Sequence, residues 1–362
     1  MSDILDQFHE EDLPPSHVDI QAAVRSGRRR RRGRTGFAAV GVAAIVVAGA
    51  VTAPQWLALR PGPAPEPGAA LPTCSAPIPS LSPPAATTYF DVLRYQLDPS
   101  GVTGFSLASY ATSPESQIAE LVNSAGDRTV TVRVYPAGGQ PLYRLHGDRG
   151  DEPIDPAAGE PAPPVNGMAA FWLPQQDRYV FGYGQGLAWQ WAPGAWVLVT
   201  AEDTTGGARP NGNPVADETL RALAAQVAPQ LDLGVDRPVT SPFAMPVLDC
   251  TRLVGTSVMF DSDATGTPFA RFGLLFATAN DDTVSVIAHS GATPDDKPGS
   301  ATSTVDGHPA YEGSLLVVYG VDGFAFEVTN GTTGWDRASI WRTAEVHPGA
   351  TFDPATWGPP IR

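Results

Sequence analysis

Lysine is almost missing from this chain. Of the 23 cationic side chains only Lys297 is a lysine and the rest are arginines. Charge of either sign is thin, at 17% of residues, and 38 acids outweigh the cations to give a net charge of -15. A surface short of positive charge excludes nucleic acid as a partner for most of the chain, because phosphate binding is carried by basic side chains. The low charge density also excludes a coiled coil, a long charged bundle and a disordered acidic chain. Two cysteines are too few for a thiolate metal centre, and the six histidines show none of the i, i+4 pairing of a zinc helix. Glycine and proline are abundant instead, at 37 each, beside 42% hydrophobic residues. That balance predicts short strands, many turns and a sizeable core. At roughly 100–200 residues per domain, 362 residues allow two globular units, or one with appendages.

The charge is unevenly placed. Residues 1–35 carry six acids, all before position 20, and then seven arginines, Arg25, Arg28, Arg29, Arg30, Arg31, Arg32 and Arg34. The remainder holds 16 cations against 32 acids. Directly after the arginines, Gly36 to Leu59 runs 24 residues without a charge. A bilayer core of ~30 Å needs about 20 apolar residues in a helix, so this stretch predicts a transmembrane helix over 36–59. The flanking arginines place residues 1–35 in the cytoplasm and everything beyond about 60 outside. A cleaved signal peptide is the rival reading, with Val51-Thr-Ala53 as its small-residue site. A tail of 35 residues that starts acidic speaks against it. The arginine cluster reads as a topology determinant touching anionic lipid, with contact to a cytoplasmic protein or nucleic acid as the alternative. Residues 60–86 then hold nine prolines, which predicts an extended polyproline tether that cannot build a core.

Residues 87–362 read as two related halves, 87–234 and 235–362. The first contains Thr129-Val-Thr-Val-Arg-Val134 and the second Thr283-Val-Ser-Val-Ile287. Each then offers an Asx-Gly dipeptide, Asn166-Gly167 and Asp306-Gly307, which predicts a tight hairpin because both positions accept positive φ. Strand-like runs follow at Leu187 to Trp191 and Trp196 to Thr200, and at Leu315 to Tyr319 and Phe324 to Thr329. A helix is expected after Asp217-Glu218, where Leu220, Leu223, Ala224, Val227 and Leu231 recur at helical spacing. A weaker counterpart lies around Trp335 to Val346. The expected class is α+β: two antiparallel sheets, each with a helix packed on one face. The alternative is one pseudo-symmetric unit sharing a continuous sheet. Cys74 and Cys250 sit just upstream of the two halves and are a candidate disulfide in an oxidising compartment.

Motifs that would carry chemistry are incomplete. Asp261-Ser-Asp263 follows an apolar run, as the nucleophile of a haloacid-dehalogenase-type phosphatase does, but it lacks the alternating α/β context. The same stretch offers oxygen ligands at Asp261, Asp263 and Thr265 for calcium, yet Phe272 stands where a bidentate glutamate is needed. His146, His289, His308 and His347 read as surface or turn histidines. The densest aromatic cluster includes Tyr179, Phe181 and Tyr183 on one alternating run and Trp189 and Trp191 on another. Exposed, that face would stack on sugars or a partner's apolar surface; covered by the 217–231 helix, it would be core.

The tail pattern Val18-Asp-Ile-Gln-Ala-Ala-Val-Arg-Ser-Gly, followed by arginines, a single span and a proline tether, resembles actinobacterial single-pass membrane proteins of the anti-sigma-factor-like, sigma-factor-neighbour type. The likeness covers about residues 16–60, and no functional residue is carried over from it. It implies a sigma factor as a cytoplasmic partner, although the tail has no cysteine for the zinc motif of many such proteins. Taken together, the sequence predicts a non-enzymatic envelope protein without cofactor or metal. Its exterior would bind or sense an extracytoplasmic ligand, and a cell-wall or carbohydrate-binding module is the alternative.

Overall fold

Alternation of β-branched and aromatic residues between Asx-Gly turns sets the architecture. The computed structural model describes residues 89–144, 151–173, 184–203, 217–262, 268–278, 282–290, 301–331 and 335–362, all within one compact unit. They are mostly antiparallel sheet with few helices. The expected tail, transmembrane stretch 36–59 and tether 60–86 lie outside the described residues. Among the described residues no helix is long and apolar enough to cross a membrane.

The first half opens with β1 (Arg94–Asp98), β2 (Phe105–Thr112), β3 (Gln117–Asn123) and β4 (Arg128–Val134). A small hairpin of β5 (Leu142–Arg144) and β6 (Asp151–Pro153) follows. Then come β7 (Glu160–Val165), β8 (Met168–Trp172), β9 (Gly184–Ala192), β10 (Ala195–Asp203), helix α1 (Asp217–Val227) and β11 (Asp232–Pro238). The second half repeats the order with β12 (Phe243–Ala244), β13 (Thr251–Ser262), β14 (Pro268–Thr278), β15 (Thr283–Ser290), β16 (Ser303–Val305), β17 (His308–Glu312), β18 (Leu316–Val321), β19 (Phe324–Thr329), helix α2 (Arg337–Trp341) and β20 (Glu345–Val346). The β5–β6 hairpin lies within the longer Pro- and Gly-rich loop of the first half and has no counterpart among the described residues of the second.

The two halves do not form separate sheets. One 14-stranded sheet runs β16-β17-β18-β19-β15-β14-β13-β2-β3-β4-β10-β9-β8-β7. Reading outward from its middle, β2-β3-β4-β10-β9-β8-β7 is matched by β13-β14-β15-β19-β18-β17-β16. The order is palindromic in topology, and the expectation of two independent sheets gives way to the shared one. The reason lies at β2 and β13. Each would be an edge strand with unpaired backbone groups, and the two satisfy each other by antiparallel pairing at Thr112↔Thr256, Ala111↔Ser257, Tyr110↔Val258 and Ser109↔Met259. Polar side chains lock this seam. Thr112 donates to the Val92 carbonyl at 2.7 Å, and Thr256 Oγ1 lies 2.8 Å from Thr112 Oγ1 and 3.2 Å from that carbonyl. A Cβ on Gly255 would meet the Thr112 carbonyl oxygen at 3.0 Å, so the close approach favours glycine there.

Both predicted hairpins form at equivalent places. Asn166 and Gly167 (φ 50° and 82°) turn β7 into β8, and Asp306 and Gly307 (φ 49° and 84°) turn β16 into β17. These values are the doubly positive φ of a two-residue hairpin turn.

One face of the sheet carries the core. Val130, Val132 and Val134 of β4, Val197 and Val199 of β10, and Leu187 of β9 are buried there beneath Leu220, Ala224 and Val227 of α1. In the second half Phe243 packs edge-on against Phe272 and Phe326, with ring centroids 5.9 and 5.2 Å apart. Trp357 covers Phe272 in the same way, and Ile340 and Trp341 come down from α2. These residues belong to one continuous cluster that spans both halves. Strand alternation sends the intervening side chains to the opposite face. There Tyr135, Leu173, Ala188 and Leu198 form a satellite cluster with Ile154 and Trp196, and Val317, Tyr319 and Ala325 form its counterpart in the second half.

Candidate functional site

The aromatic face divides. Tyr179, Phe181 and Tyr183 lie outside the described residues. Trp189 is 2% exposed and sits in the core. Trp191, two residues on and therefore on the same face, is partly buried against that core, and its Nε1 donates to the Tyr135 carbonyl at 3.4 Å. Trp189 is therefore not available to stack on a ligand, and the physical reason is the helix: α1 covers β9 and β10. A sheet domain of this size needs the area of such rings inside.

Asp261 and Ser262 end β13, which pairs antiparallel with β14, so no strand–helix crossover follows that motif. Asp263, Thr265 and Gly266 lie outside the described residues. Among the described residues no group of three or more His, Cys, Asp or Glu side chains could hold a metal ion. His308 stacks edge-on against Trp341 at 5.9 Å, and His347 Nε2 lies 3.0 Å from the Pro359 carbonyl oxygen. Both tie the C-terminal segment down. His146 and the arginine cluster Arg28 to Arg34 fall outside the described residues, as does Cys74. Cys250 is not a free thiol.

The polar feature that sequence reading missed is a row across β14, β15 and β19. Arg271 stands opposite His289, and Glu327 stands opposite Ile287, two residues from His289. Two-residue spacing and direct pairing place all three side chains on the sheet face opposite the main core. His289 Nε2 lies 3.3 Å from Glu327 Oε2, and the two side chains are only 8% and 13% exposed. Arg271 stacks over the Phe269 ring at 5.2 Å. Burying a charge is costly unless it is paired, and the closeness of His289 to Glu327 makes this row a polar feature built into the sheet. It brings a base beside an acid without a nucleophile in line. The neighbouring Ser290 hydroxyl is engaged with Ala270, accepting from its N–H at 2.8 Å and donating to its carbonyl. One signal for the row was present in the sequence: Glu327 interrupts the apolar run Phe324-Ala-Phe-Glu-Val-Thr329 and marks the face away from the core.

A second tie belongs to α2. Asp306 of the β16–β17 turn accepts two hydrogen bonds from Arg342, at 2.8 and 3.2 Å. Those bonds hold the Asp306 carboxyl below the usual range and raise Arg342. Arg337 donates to Asn330 Oδ1 and to the Gly313 carbonyl, both at 3.0 Å, and burial pulls its pKa down. These bonds dock the helix and are structural.

No protein-family model matches the chain, and no curated protein matches it. Among solved structures it overlaps a crystal structure of MucB in complex with MucA(peri), at 12% identity and a TM-score of 0.20, over 69% of this chain and 95% of that one. A MucA/MucB complex of Pseudomonas aeruginosa overlaps at 12% identity and a TM-score of 0.19, with the same coverage. At such TM-scores the likeness carries no argument about what this chain does.

Proposed function

We propose that this chain is a non-enzymatic, single-pass envelope protein, anchored by Gly36 to Leu59, that binds or senses a partner outside the membrane. Residues 1–35 pass the event to a cytoplasmic regulator such as a sigma factor. The observation that carries the reading is the order of the first 86 residues: acids, seven arginines, 24 uncharged residues and nine prolines. That order places an anchor, its orientation and a spacer in sequence ahead of the folded part. The arginines lie against anionic lipid, and the strongly acidic exterior disfavours nucleic acid. Among the described residues, the main apolar face of the folded part is filled by α1, α2 and the C-terminal segment. No cofactor or metal enters this reading. Recognition then falls to the opposite face, the loops and the strand edges. A wall-binding role through aromatic stacking is the weaker reading, since Trp189 is core.

The test is membrane fractionation with the full chain and with a deletion of residues 36–59, followed by co-purification of sigma factors with and without residues 1–35. Retention in the carbonate-washed membrane, lost on deletion, supports the anchor. A sigma factor recovered only with the tail supports the relay; equal recovery without the tail, or none, overturns it.

A further inference from the structure

Among the described residues, an Asn or Asp stands directly before a glycine at Asn166-Gly167, Asp306-Gly307, Asp322-Gly323 and Asn330-Gly331; Asn211-Gly212 lies outside them. In such a dipeptide the glycine nitrogen can attack the side-chain carbonyl carbon of its neighbour and close a succinimide ring, because no Cβ obstructs the approach. We propose that Asn166 is a site of spontaneous deamidation, and that its conversion loosens β7, the strand that closes one end of the sheet.

The other three dipeptides serve as controls within the same molecule. Residues 166–167, 306–307 and 322–323 share doubly positive φ, at 50° and 82°, 49° and 84°, and 49° and 87°. Each of these glycines has open space, with nothing within 4 Å of the position of a Cβ. The side chains therefore decide which turn reacts. Asn166 is exposed, and its carboxamide makes no hydrogen bond among the described residues. Asp306 is held at both carboxylate oxygens by Arg342, at 2.8 and 3.2 Å, and its turn is tied again where His308 stacks on Trp341. A carboxylate must take up a proton before its oxygen can leave as water, and the Arg342 guanidinium opposes that proton. Asp322 is an exposed carboxylate without such a tie among the described residues. Asn330 is an amide but only 7% exposed, with Nδ2 donating to the Trp335 carbonyl and Oδ1 accepting from Arg337 at 3.0 Å. A Cβ on Gly331 would meet the Thr283 carbonyl oxygen at 2.9 Å, so the backbone there is hemmed in as well. Of the four, Asn166 alone combines an amide, exposure and freedom to turn. Ring closure requires the turn to leave its hairpin geometry for a moment. β7 ends the sheet and pairs with β8 alone among the described strands, and such terminal elements open at low cost.

The reaction needs only water. The Gly167 nitrogen bonds to Asn166 Cγ and gives up its proton, the Cγ–Nδ2 bond breaks, and ammonia leaves with that proton. Water then opens the ring at either carbonyl to leave aspartate or isoaspartate, so the net change is one water gained and one ammonia lost. Isoaspartate routes the main chain through Cβ and adds an atom to the turn that sets Val165 opposite Met168. Hairpin register follows loop length, so the pairing of β7 with β8 weakens. β7 carries Pro161, Pro163 and Pro164. Its release bares the outer edge of β8 beside Met168, which is already 43% exposed.

The test holds the full, folded chain in warm, mildly alkaline buffer and follows each dipeptide by peptide mapping and mass spectrometry. An endoproteinase that cuts before aspartate but not before isoaspartate separates the two products. The Asn166 peptide should exchange ammonia for water and yield both products, while the Asn330 peptide keeps its amide over the same period. Asp322 should isomerise more slowly than Asn166 converts, and Asp306 more slowly still. Equal rates at Asn166 and Asn330, or an Asn166 that stays intact in the folded chain and converts only in urea, would overturn the proposal. Equal rates at Asp306 and Asp322 would overturn the protection assigned to Arg342. Asn166→Gly keeps positive φ accessible and removes the carbon under attack. Amide hydrogen exchange in β7 and β8 should quicken in the aged natural chain and stay unchanged in the aged variant; unchanged exchange in both would overturn the loosening of β7.

Discussion

The hydroxyl of Tyr110 is held by two acceptors at once, 2.7 Å from Gln117 Oε1 and 3.1 Å from the Leu97 carbonyl. Gln117 in turn donates to the Arg94 carbonyl at 2.6 Å and accepts from the Gln96 N–H at 2.8 Å. This buried knot fastens the β1 region to the central strands. Tyr110→Phe strands acceptors in the interior and should cost roughly 1–3 kcal/mol in urea denaturation. Burial pushes the phenols of Tyr95 and Tyr110 well above their usual 10. Their neutral forms are therefore favoured in the folded state. The stability they contribute is complete below pH 10 and is lost as the pH rises above it, so the denaturation midpoint should fall in that window. Trp189→Ala should cost roughly 3–5 kcal/mol as a core truncation, whereas a ring used only for binding would leave the midpoint unchanged. At this scale the sequence was half legible. Leu220, Ala224 and Val227 declared their buried face by spacing. Trp189 did not, because period two shows which residues share a face but not which face is covered. His289 and Glu327 were illegible as a pair, since 38 residues separate them and only the β15–β19 register brings them together.

The hairpins were the most legible elements, because Asn166-Gly167 and Asp306-Gly307 encode their turn in two adjacent residues. Gly307 has open space around the position of a Cβ, with φ 84°. Gly307→Ala therefore isolates the conformational cost and should destabilise by about 1–2 kcal/mol in a thermal melt. The palindromic strand order was less legible than its parts. The β2–β13 contact joins residues about 145 positions apart, and nothing local in either strand names its partner. The outermost strand β7, with Pro161, Pro163 and Pro164, shows how one end of the sheet is protected: proline offers no N–H to an incoming strand. Pro163→Val with Pro164→Thr restores two donors, and light scattering should then detect association of the chain that the natural sequence avoids.

Across the whole molecule, one sheet and one continuous apolar cluster join the two halves. Heat should consequently unfold them in a single transition, with calorimetric and van't Hoff enthalpies equal; two resolved transitions would show that the seam does not couple them. The overall charge of -15 arises in residues 60–362, with 16 cations against 32 acids, and not in residues 1–35, which are nearly balanced. The seam has one more consequence. A seven-stranded half standing alone would end at β2 or at β13 and could complete itself only by meeting a second copy, at a rate and extent set by how much protein is present. Carrying both halves on one chain replaces that encounter with an intramolecular one at a fixed effective concentration. Assembly of the sheet is then independent of dilution.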